Sequence, residues 1–358
     1  MPSLKEIKGR INSISSTLAI TSAMKMVAAA KLQKAQMAIQ NMLPYERRLH
    51  SMLIDLMGAM NISAAASEDG SVRGSGSAER GFDQSGDRLS LSNRHDLAGM
   101  DGAYSLMAQR EVRKVAIVAF ASNSSLCGAF NSNVIREATA VINEYRASGL
   151  GDADITVYSV GRKMAEAMKK LGFPSPADFT KMSDSPSYDA ASALAQELLD
   201  GFVSGRFDKV ELVYNHYKST SSQPTTRQTY LPLSLADATA DIQVGKITDS
   251  ASESDTNRGA EPVGAPVVRQ GSPTTEDLIV EPSKEALIAT LLPKVIRLRI
   301  FTTLLDSAAA EHAARTVAMQ LATDNGNDLL QELTLEYNKG RQQKITSEIL
   351  DLVGGSMQ

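Results

Sequence analysis

The sequence is poor in several residue types that usually mark a structural class. Its 358 residues include no tryptophan, one cysteine (Cys127) and 5% aromatic residues. A single cysteine excludes an intramolecular disulfide. No apolar run approaches the roughly 18 residues of a transmembrane helix, and the first residues lack the apolar core of a signal peptide. The low aromatic content is typical of a protein whose core is largely a thin seam between helices.

The charge of the chain gives no general case for a nucleic-acid partner, because the net charge is −4. The distribution is nevertheless uneven. Residues 1–57 contain eight Lys or Arg against three acids, a surplus of five. This surplus is explained either by a solvated helix face or by a helix that faces an acidic protein surface. Both readings remain open at the level of composition.

No stretch carries the pattern of an enzyme site. The polar loop 122–129 lacks both G-x-x-x-x-G-K-[ST] and G-x-G-x-x-G, and no lysine is placed to reach a phosphate. Cys127 has no visible histidine partner, so we interpret it as a small buried hydrophobe. No His, Cys, Asp or Glu cluster has the spacing of a metal site. The sequence therefore predicts no catalytic residue, cofactor or metal.

The last quarter of the chain, residues 283–354, predicts one long helix. Apolar or small residues recur three and four positions apart, which is the narrow seam of a coiled coil. Ser283 is the expected N-cap, and Gly354 with Gly355 is the expected stop. Roughly 70 residues at about 1.5 Å each give a rod about 105 Å long. The predicted seam consists of Leu291, Val295, Leu298, Phe301, Leu305, Ala308, His312, Met319, Ala322, Gly326, Leu329, Leu333, Tyr337, Ile345, Ile349 and Leu352.

The first stretch of the chain, residues 4–57, has the same helical seam. Pro44 alone interrupts it, so the pattern predicts either one bent helix or two helices. Because a rod of such length needs a partner, we expect the two ends of the chain to pair as an antiparallel coiled coil.

The middle of the chain predicts a small α/β domain, because strands alternate with helices. We divide the chain into an N-terminal helix (1–60), a Gly/Ser-rich insertion (61–110), a Rossmann-like foot domain (111–234), an acidic insertion (235–281) and a C-terminal helix (282–358). The expected strands are 114–121, 154–160, 209–217 and 225–233. The expected helices are 133–147, 161–171 and 188–203, with a further short one near 104–110.

Five segments resemble the gamma subunit family of F-type ATP synthases. They are ITSAMKMVAAAK (20–31), SLCG (125–128), SQP (222–224), AARTVAM with ATDN (313–325), and YNKGRQQKITSEI (337–349). These ordered matches lie at both ends and in the middle, and the resemblance covers roughly two thirds of the chain. It implies the family fold, with the terminal helices as a shaft and the α/β domain as its foot.

The resemblance also implies a function. In the family, the shaft turns inside a ring of three alpha and three beta subunits, and the foot binds the epsilon subunit and the membrane c-ring. Ion flow turns the c-ring and the shaft, which drives ATP synthesis in the beta subunits. The chain would itself make no bond. It would be a peripheral protein on the cytoplasmic face of a bacterial inner membrane, without a nucleic-acid partner.

The resemblance further implies rotor–stator contacts at particular positions. Arg341 and Gln342 match the family's grip on the beta subunits. Met24 and Lys25 are expected opposite them on the other helix, beside Thr346 and Glu348. Arg315 matches a lower position on the shaft.

The two insertions, 61–110 and 235–281, depart from the common bacterial pattern. We interpret the acidic one as a tolerated loop, with a braking role as the alternative. The cysteine pair of the chloroplast form is excluded, since Cys127 stands alone.

Two other classes of protein compete with the rotor. A coiled-coil scaffold would form a stable homodimer, and a nucleotide-binding α/β enzyme with helical arms would bind ATP or a dinucleotide as an isolated chain.

Overall fold

The fold consists of two very long helices and a small sheet domain between them in sequence. The computed structural model describes residues 3–68, 106, 110–233, 281 and 283–356. In chain order the elements are α1 (Leu4–Glu68), β1 (Val115–Phe120), α2 (Phe130–Ala147), a 3₁₀ turn (Asp152–Asp154), β2 (Ile155–Val160), α3 (Arg162–Lys170), α4 (Thr180–Asp184), α5 (Tyr188–Val203), β3 (Lys209–Asn215), β4 (Thr225–Leu231) and α6 (Lys284–Ser356).

The four strands form one mixed sheet in the order β2-β1-β3-β4. β1 is parallel to both β2 and β3, whereas β4 is antiparallel to β3. β1 is buried on both faces, as its continuous apolar run predicts. Ala116, Val118 and Phe120 point towards α5 and α6, while the alternate residues of β1 point towards α2 and α3. All four expected strands are present, and each is shorter than its sequence pattern by one or two residues.

The sheet domain and α6 share one hydrophobic core. Leu292, Ile296 and Ile300 of α6 are buried in the same cluster as Leu198 and Phe202 of α5. The core therefore places the sheet domain against the first third of α6. Residues 110–233 of this domain are called the foot domain below.

The long helices α1 and α6 pack as an antiparallel pair. Gly340 lies beside Leu4, Gly326 beside Leu18, and the Thr323 hydroxyl donates to the Thr21 hydroxyl at 3.1 Å. In each of these pairs the two residue numbers add up to 344. Residues of α1 and α6 whose numbers add up to 344 therefore lie at the same level of the helix pair.

The helix ends differ slightly from expectation. α1 continues through Pro44 as one helix and ends at Glu68, eight residues beyond the predicted boundary at 60. The backbone N–H of Ala286 donates to the Ser283 hydroxyl at 3.1 Å, as expected of an N-cap. α6 ends at Ser356, so Gly354 and Gly355 belong to its last turn rather than stopping it.

One helix was missed by the sequence analysis, and some predicted features lie outside the described residues. The helix α4 was not expected from the sequence. The predicted short helix at 104–110 lies outside the described residues except for Leu106 and Arg110. Nearly all of the insertions at 61–110 and 235–281 lies outside them too, and the division into domains remains a prediction.

Candidate interaction surfaces of the helix pair

The seam between α1 and α6 is narrow because its residues are small. Ala309 and Ala313 are completely buried and pack against Leu32 of α1. A Cβ added at Gly326 would lie 2.7 Å from Leu18 Cδ2, so the absence of a side chain there lets the leucine enter. Small seam residues bring the backbones of two helices close together. The result is a slim rod whose outer surface carries the remaining side chains.

A first polar junction connects the foot domain to both long helices. Asp306 of α6 accepts from the backbone N–H of Tyr217 at 2.9 Å, and its other oxygen lies 2.6 Å from His216 Nδ1. The amide of Gln36 in α1 donates to the Tyr217 hydroxyl at 2.6 Å. The hydrogen bond to Asp306 raises the pKa of His216 in spite of partial burial. A short segment after β3 thus links α1, the foot and α6.

A second polar junction involves Arg315, one of the predicted contact residues. Its guanidinium donates to Glu311 at 2.8 Å on its own helix and to the Ser124 hydroxyl of the foot at 2.7 Å. The side chains of Arg315 and Glu311 are only 11% and 10% exposed. Burial raises the pKa of Glu311 although Arg315 opposes this effect. Arg315 therefore binds the loop after β1 to the helix pair within this chain.

The loop after β1 packs directly on α6. Cys127 is 1% exposed and contacts Phe130 and Ala310, so it is buried as expected. The amide of Asn131 donates to its sulfur at 3.2 Å. Leu126 has a positive φ of 70° and is 57% exposed, an uncommon combination for a branched residue. This loop packs closely against α6 while one apolar side chain, that of Leu126, points outward.

The end of α6 extends beyond α1 as a single helix. Because Leu4 lies beside Gly340, residues 341–356 have no neighbour from α1; we call them the lone tip. Sixteen residues at about 1.5 Å each reach about 24 Å. Residues 341–350 are all exposed. The large apolar side chains exposed on the tip are Ile345, Ile349, Leu350, Leu352 and Val353. Exposed apolar side chains in such a group mark an interaction surface.

The predicted contact residues fall at three different levels. Arg341, Gln342, Thr346 and Glu348 all lie on the lone tip. Thr346 donates to the Gln342 carbonyl at 2.9 Å, and Glu348 lies 3.8 Å from Lys344, so their contacts stay within α6. Arg315 lies at the junction with the foot.

The expectation that Met24 and Lys25 lie beside Thr346 and Glu348 is wrong. The Thr21–Thr323 hydrogen bond fixes the local register, and three residues further along α1 the level of Met24 is near residue 320 of α6. Thr346 is 26 residues further along α6, a separation of about 39 Å at about 1.5 Å per residue. The physical reason is that α1 begins at Leu4 and cannot reach the lone tip.

An outward apolar stripe on α1 was not expected from the sequence. Ile20, Met26, Val27 and Met37 are 51–65% exposed on the helix that also buries Ala28 and Leu32 against α6. Part of the signal was available in the sequence. Ile20, Ala23, Val27 and Ala30 recur with the three-and-four spacing of a heptad. Met26 lies about 100° round the helix from Val27, so this spacing does not mark it.

The described residues contain no group of three or more His, Cys, Asp or Glu placed to hold a metal ion. Within the same ranges, none of the helices combines the length and the apolar character needed to cross a membrane.

Comparison with known proteins gives matches over the whole chain. A family model described as ATP synthase matches residues 3–357. The ATP synthase gamma chain of Phocaeicola vulgatus is 47% identical, and that of Bacteroides thetaiotaomicron is 45% identical; each alignment covers 100% of both chains. Among solved structures, a chain of the Euglena gracilis mitochondrial ATP synthase, in an assembly of OSCP, F1 and c-ring, is similar with a TM-score of 0.54 at 19% identity. That alignment covers 99% of this chain and 93% of the other, and supports the same fold.

Proposed function

Because this chain belongs to the ATP synthase gamma chain family, we propose that it is the central rotor shaft of an F-type ATP synthase. The helix pair turns inside a ring of three alpha and three beta subunits. The foot domain binds the epsilon subunit and the c-ring. Ion-driven rotation of the c-ring is thereby transmitted to the helix pair inside the ring of alpha and beta subunits. The assembled complex is bound to the cytoplasmic face of a bacterial inner membrane, and this chain is peripheral to that membrane.

The observation that carries the proposal is the lone tip. It is a single helix whose large apolar side chains, including Ile349 and Leu352, are exposed in the isolated chain. The apolar face of this unaccompanied helix end is removed from water only when a surrounding surface covers it. A ring that encloses the tip supplies such a surface on every side. It also leaves the helix free to turn, because apolar contacts are not directional.

We propose that α1 and α6 form a coiled coil along their shared length. The insertion of Leu18 at Gly326 and of Leu4 at Gly340 supports this geometry, since coiled coils pack side chains of one helix into spaces on the other. Two interlocked helices resist twisting better than one helix. A coiled coil therefore suits a shaft that must carry torque.

The foot domain must not slip on the shaft if it is to deliver torque. The hydrophobic core shared by α5 and α6 holds the foot domain on α6, and the two polar junctions fix the orientation of the foot domain relative to α6. Asp306 binds the segment after β3, and Arg315 binds the loop after β1. The carboxyl ends of β1 and β3, two neighbouring parallel strands, are thus both attached to α6.

The contact with the ring is proposed to be made at several levels. Arg341 and Gln342 grip the beta subunits through charge-assisted hydrogen bonds, each contributing about 1.5–3 kcal/mol when desolvated. Thr346 and Glu348 act at the same level, on the lone tip. Met24 and Lys25 act about 39 Å below Thr346, near the exposed apolar residues of α1, and Arg315 acts lower still.

In this proposal the chain carries no catalytic residue and binds no cofactor. ATP is made or hydrolysed in the beta subunits, and the asymmetric shaft changes their conformations in turn. The chain is thus a non-catalytic subunit of an enzyme complex, and it acts by forming and breaking non-covalent contacts with the other subunits.

The test is co-expression with the alpha and beta subunits from the same organism, followed by native mass measurement and an ATPase assay. The expected result is an assembly of three alpha, three beta and one copy of this chain, with turnover that depends on it. A homodimer that ignores alpha and beta would contradict the proposal and would favour the scaffold.

A further inference from the structure

The surroundings of three glycines in the helix pair are described, and for two of these glycines the reason is clear. Gly326 makes room for Leu18, and Gly340 makes room for Leu4, because a Cβ added at these glycines would lie 2.7 and 3.2 Å from the leucine methyl groups. Gly9 is the exception, because nothing lies within 4 Å of the Cβ position there. Glycine is unfavourable inside a helix compared with almost every other residue. The space at Gly9 is therefore open without an occupant from the described part of the chain.

The open space at Gly9 belongs to a groove between α1 and α6, with a volume of about 720 Å³. We call it the Gly9 notch. Its lining residues are Glu6, Gly9, Arg10, Ser13, Ile14, Leu329, Glu332, Leu333 and Glu336. It lies just below the lone tip, because Gly9 is level with residue 335 in the register of the helix pair.

The walls of the notch differ in how their charges are satisfied. On α1, Arg10 donates to Glu6 at 2.9 Å, so this pair is internally neutral. On α6, neither Glu332 nor Glu336 has an ion-pair partner among the described residues. They lie one helical turn apart, an arrangement in which like charges repel. The α6 wall therefore lacks a compensating cation.

The floor of the notch is apolar. Ile14, Leu329 and Leu333 line it together with the bare backbone at Gly9. A long cationic side chain matches this combination, because its aliphatic stem covers apolar surface while its head remains near polar groups. An acidic side chain would add to the repulsion between Glu332 and Glu336. A purely apolar side chain would leave both carboxylates without a cation. The charge pattern thus favours lysine or arginine.

We propose that the Gly9 notch receives a lysine or arginine side chain from a subunit of the surrounding ring, with Glu332 and Glu336 as its anionic partners. The inference rests on the proposed rotor function, since that function puts a protein surface around this level of the shaft. This side chain of another subunit would pack over Gly9 in the way that Leu18 of the same chain packs over Gly326. The notch is then a docking position that only certain orientations of the shaft can fill.

The test measures the affinity of the full chain for the ring of alpha and beta subunits. The chain is titrated into alpha and beta at several salt concentrations, and the assembled fraction is measured by native mass spectrometry. Gly9→Leu fills the notch, and Gly9→Ala is its matched control with a small side chain. Glu332→Gln with Glu336→Gln removes the charge and keeps the shape. Asp328→Asn is the charge control, because Asp328 lies on the same helix outside the lining.

We expect Gly9→Leu and the double Gln variant each to weaken assembly about tenfold, the factor that about 1.4 kcal/mol represents. The double Gln variant should also show a shallower dependence on salt, because a screened ion pair has been removed. Gly9→Ala and Asp328→Asn should assemble as the original chain does. Helical content of every variant, measured by circular dichroism, verifies that the helices persist.

The outcomes separate this inference from the function on which it rests. If the unmodified chain fails to join alpha and beta, the rotor function itself is contradicted. If the unmodified chain assembles but Gly9→Leu binds equally well, the notch is empty in the complex and the inference is wrong. If Gly9→Leu weakens binding while the double Gln variant does not, the occupant is not a cation, and the proposed chemistry is wrong.

Discussion

His216 Nδ1 lies 2.6 Å from Asp306 Oδ2, and this pair binds the end of β3 to the long helix α6. The bond to Asp306 raises the pKa of His216 above its usual value near 6.5, while burial and Lys218 oppose the shift. A folded-state pKa above the unfolded one gives stability that is fully present below the unfolded pKa. That stability is lost as the pH rises through the folded pKa.

We therefore predict that His216→Gln reduces the stability of the isolated chain more at about pH 6 than at about pH 8.5. Solvent screening limits the size of the effect, since the His216 side chain is 39% exposed. Thermal unfolding at the two pH values measures it. Asp306→Asn should abolish the same pH dependence, because the carboxylate is its cause. A destabilisation that is equal at both pH values would contradict the assignment.

The close packing of Leu18 on Gly326 gives a prediction about the helix pair. Gly326→Leu puts two side chains into the space of one and should destabilise the isolated chain by about 1–3 kcal/mol. Gly9→Leu is the matched variant, because Gly9 has open space above it and leucine is the better helix former. We expect it to leave stability unchanged or slightly raised. Denaturant unfolding followed by circular dichroism measures both, and equal losses in the two variants would contradict the packing.

The elements of this fold were largely predictable from local patterns. The run of β-branched and apolar residues at 114–121 predicted β1, and the three-and-four spacing predicted both long helices. Tyr188–Val203 was predicted with its observed ends. α4 was missed because its five residues are too few to show a period.

The relative register of the two long helices could not be predicted from the sequence. A coiled-coil seam repeats every seven residues, so sliding one helix by seven leaves the apolar pattern nearly unchanged. The family resemblance implied that Met24 lies beside Thr346, whereas the Thr21–Thr323 bond places it near residue 320. Similarly, nothing local connects Ser124 with Arg315, which are 191 residues apart in the chain.

The lone tip offers a test of the proposed grip on the ring. Arg341→Ala with Gln342→Ala should leave the stability of the isolated chain unchanged, because both side chains are exposed. In the assembled complex, the loss of a charge-assisted hydrogen bond of about 1.5–3 kcal/mol should lower coupled ATP synthesis by about tenfold or more. ATP synthesis in energised membrane vesicles measures this. Arg136→Ala, an exposed arginine of the foot domain, is the control, and undiminished synthesis in the double variant would refute the grip.

Arg315 separates a role inside the chain from a role at the ring. Its loss by Arg315→Met leaves Glu311 buried without its cation, which typically costs about 3–5 kcal/mol. The pKa of Glu311 is already raised by burial, and without Arg315 it should rise further. A carboxyl group whose folded pKa is above its unfolded pKa destabilises the fold increasingly as the pH rises. The loss should therefore be larger at about pH 8 than at about pH 5.

Unfolding of the isolated chain, without alpha or beta, tests this account of Arg315. The double variant Arg315→Met with Glu311→Met should recover most of the stability, since two apolar side chains can replace a buried ion pair. If Arg315 acted only on the surrounding ring, the single variant would unfold like the unmodified chain and only the turnover of the assembled complex would fall. Loss of stability that the second substitution restores would instead mean that Arg315 primarily holds the foot domain on the shaft, and that torque passes through it.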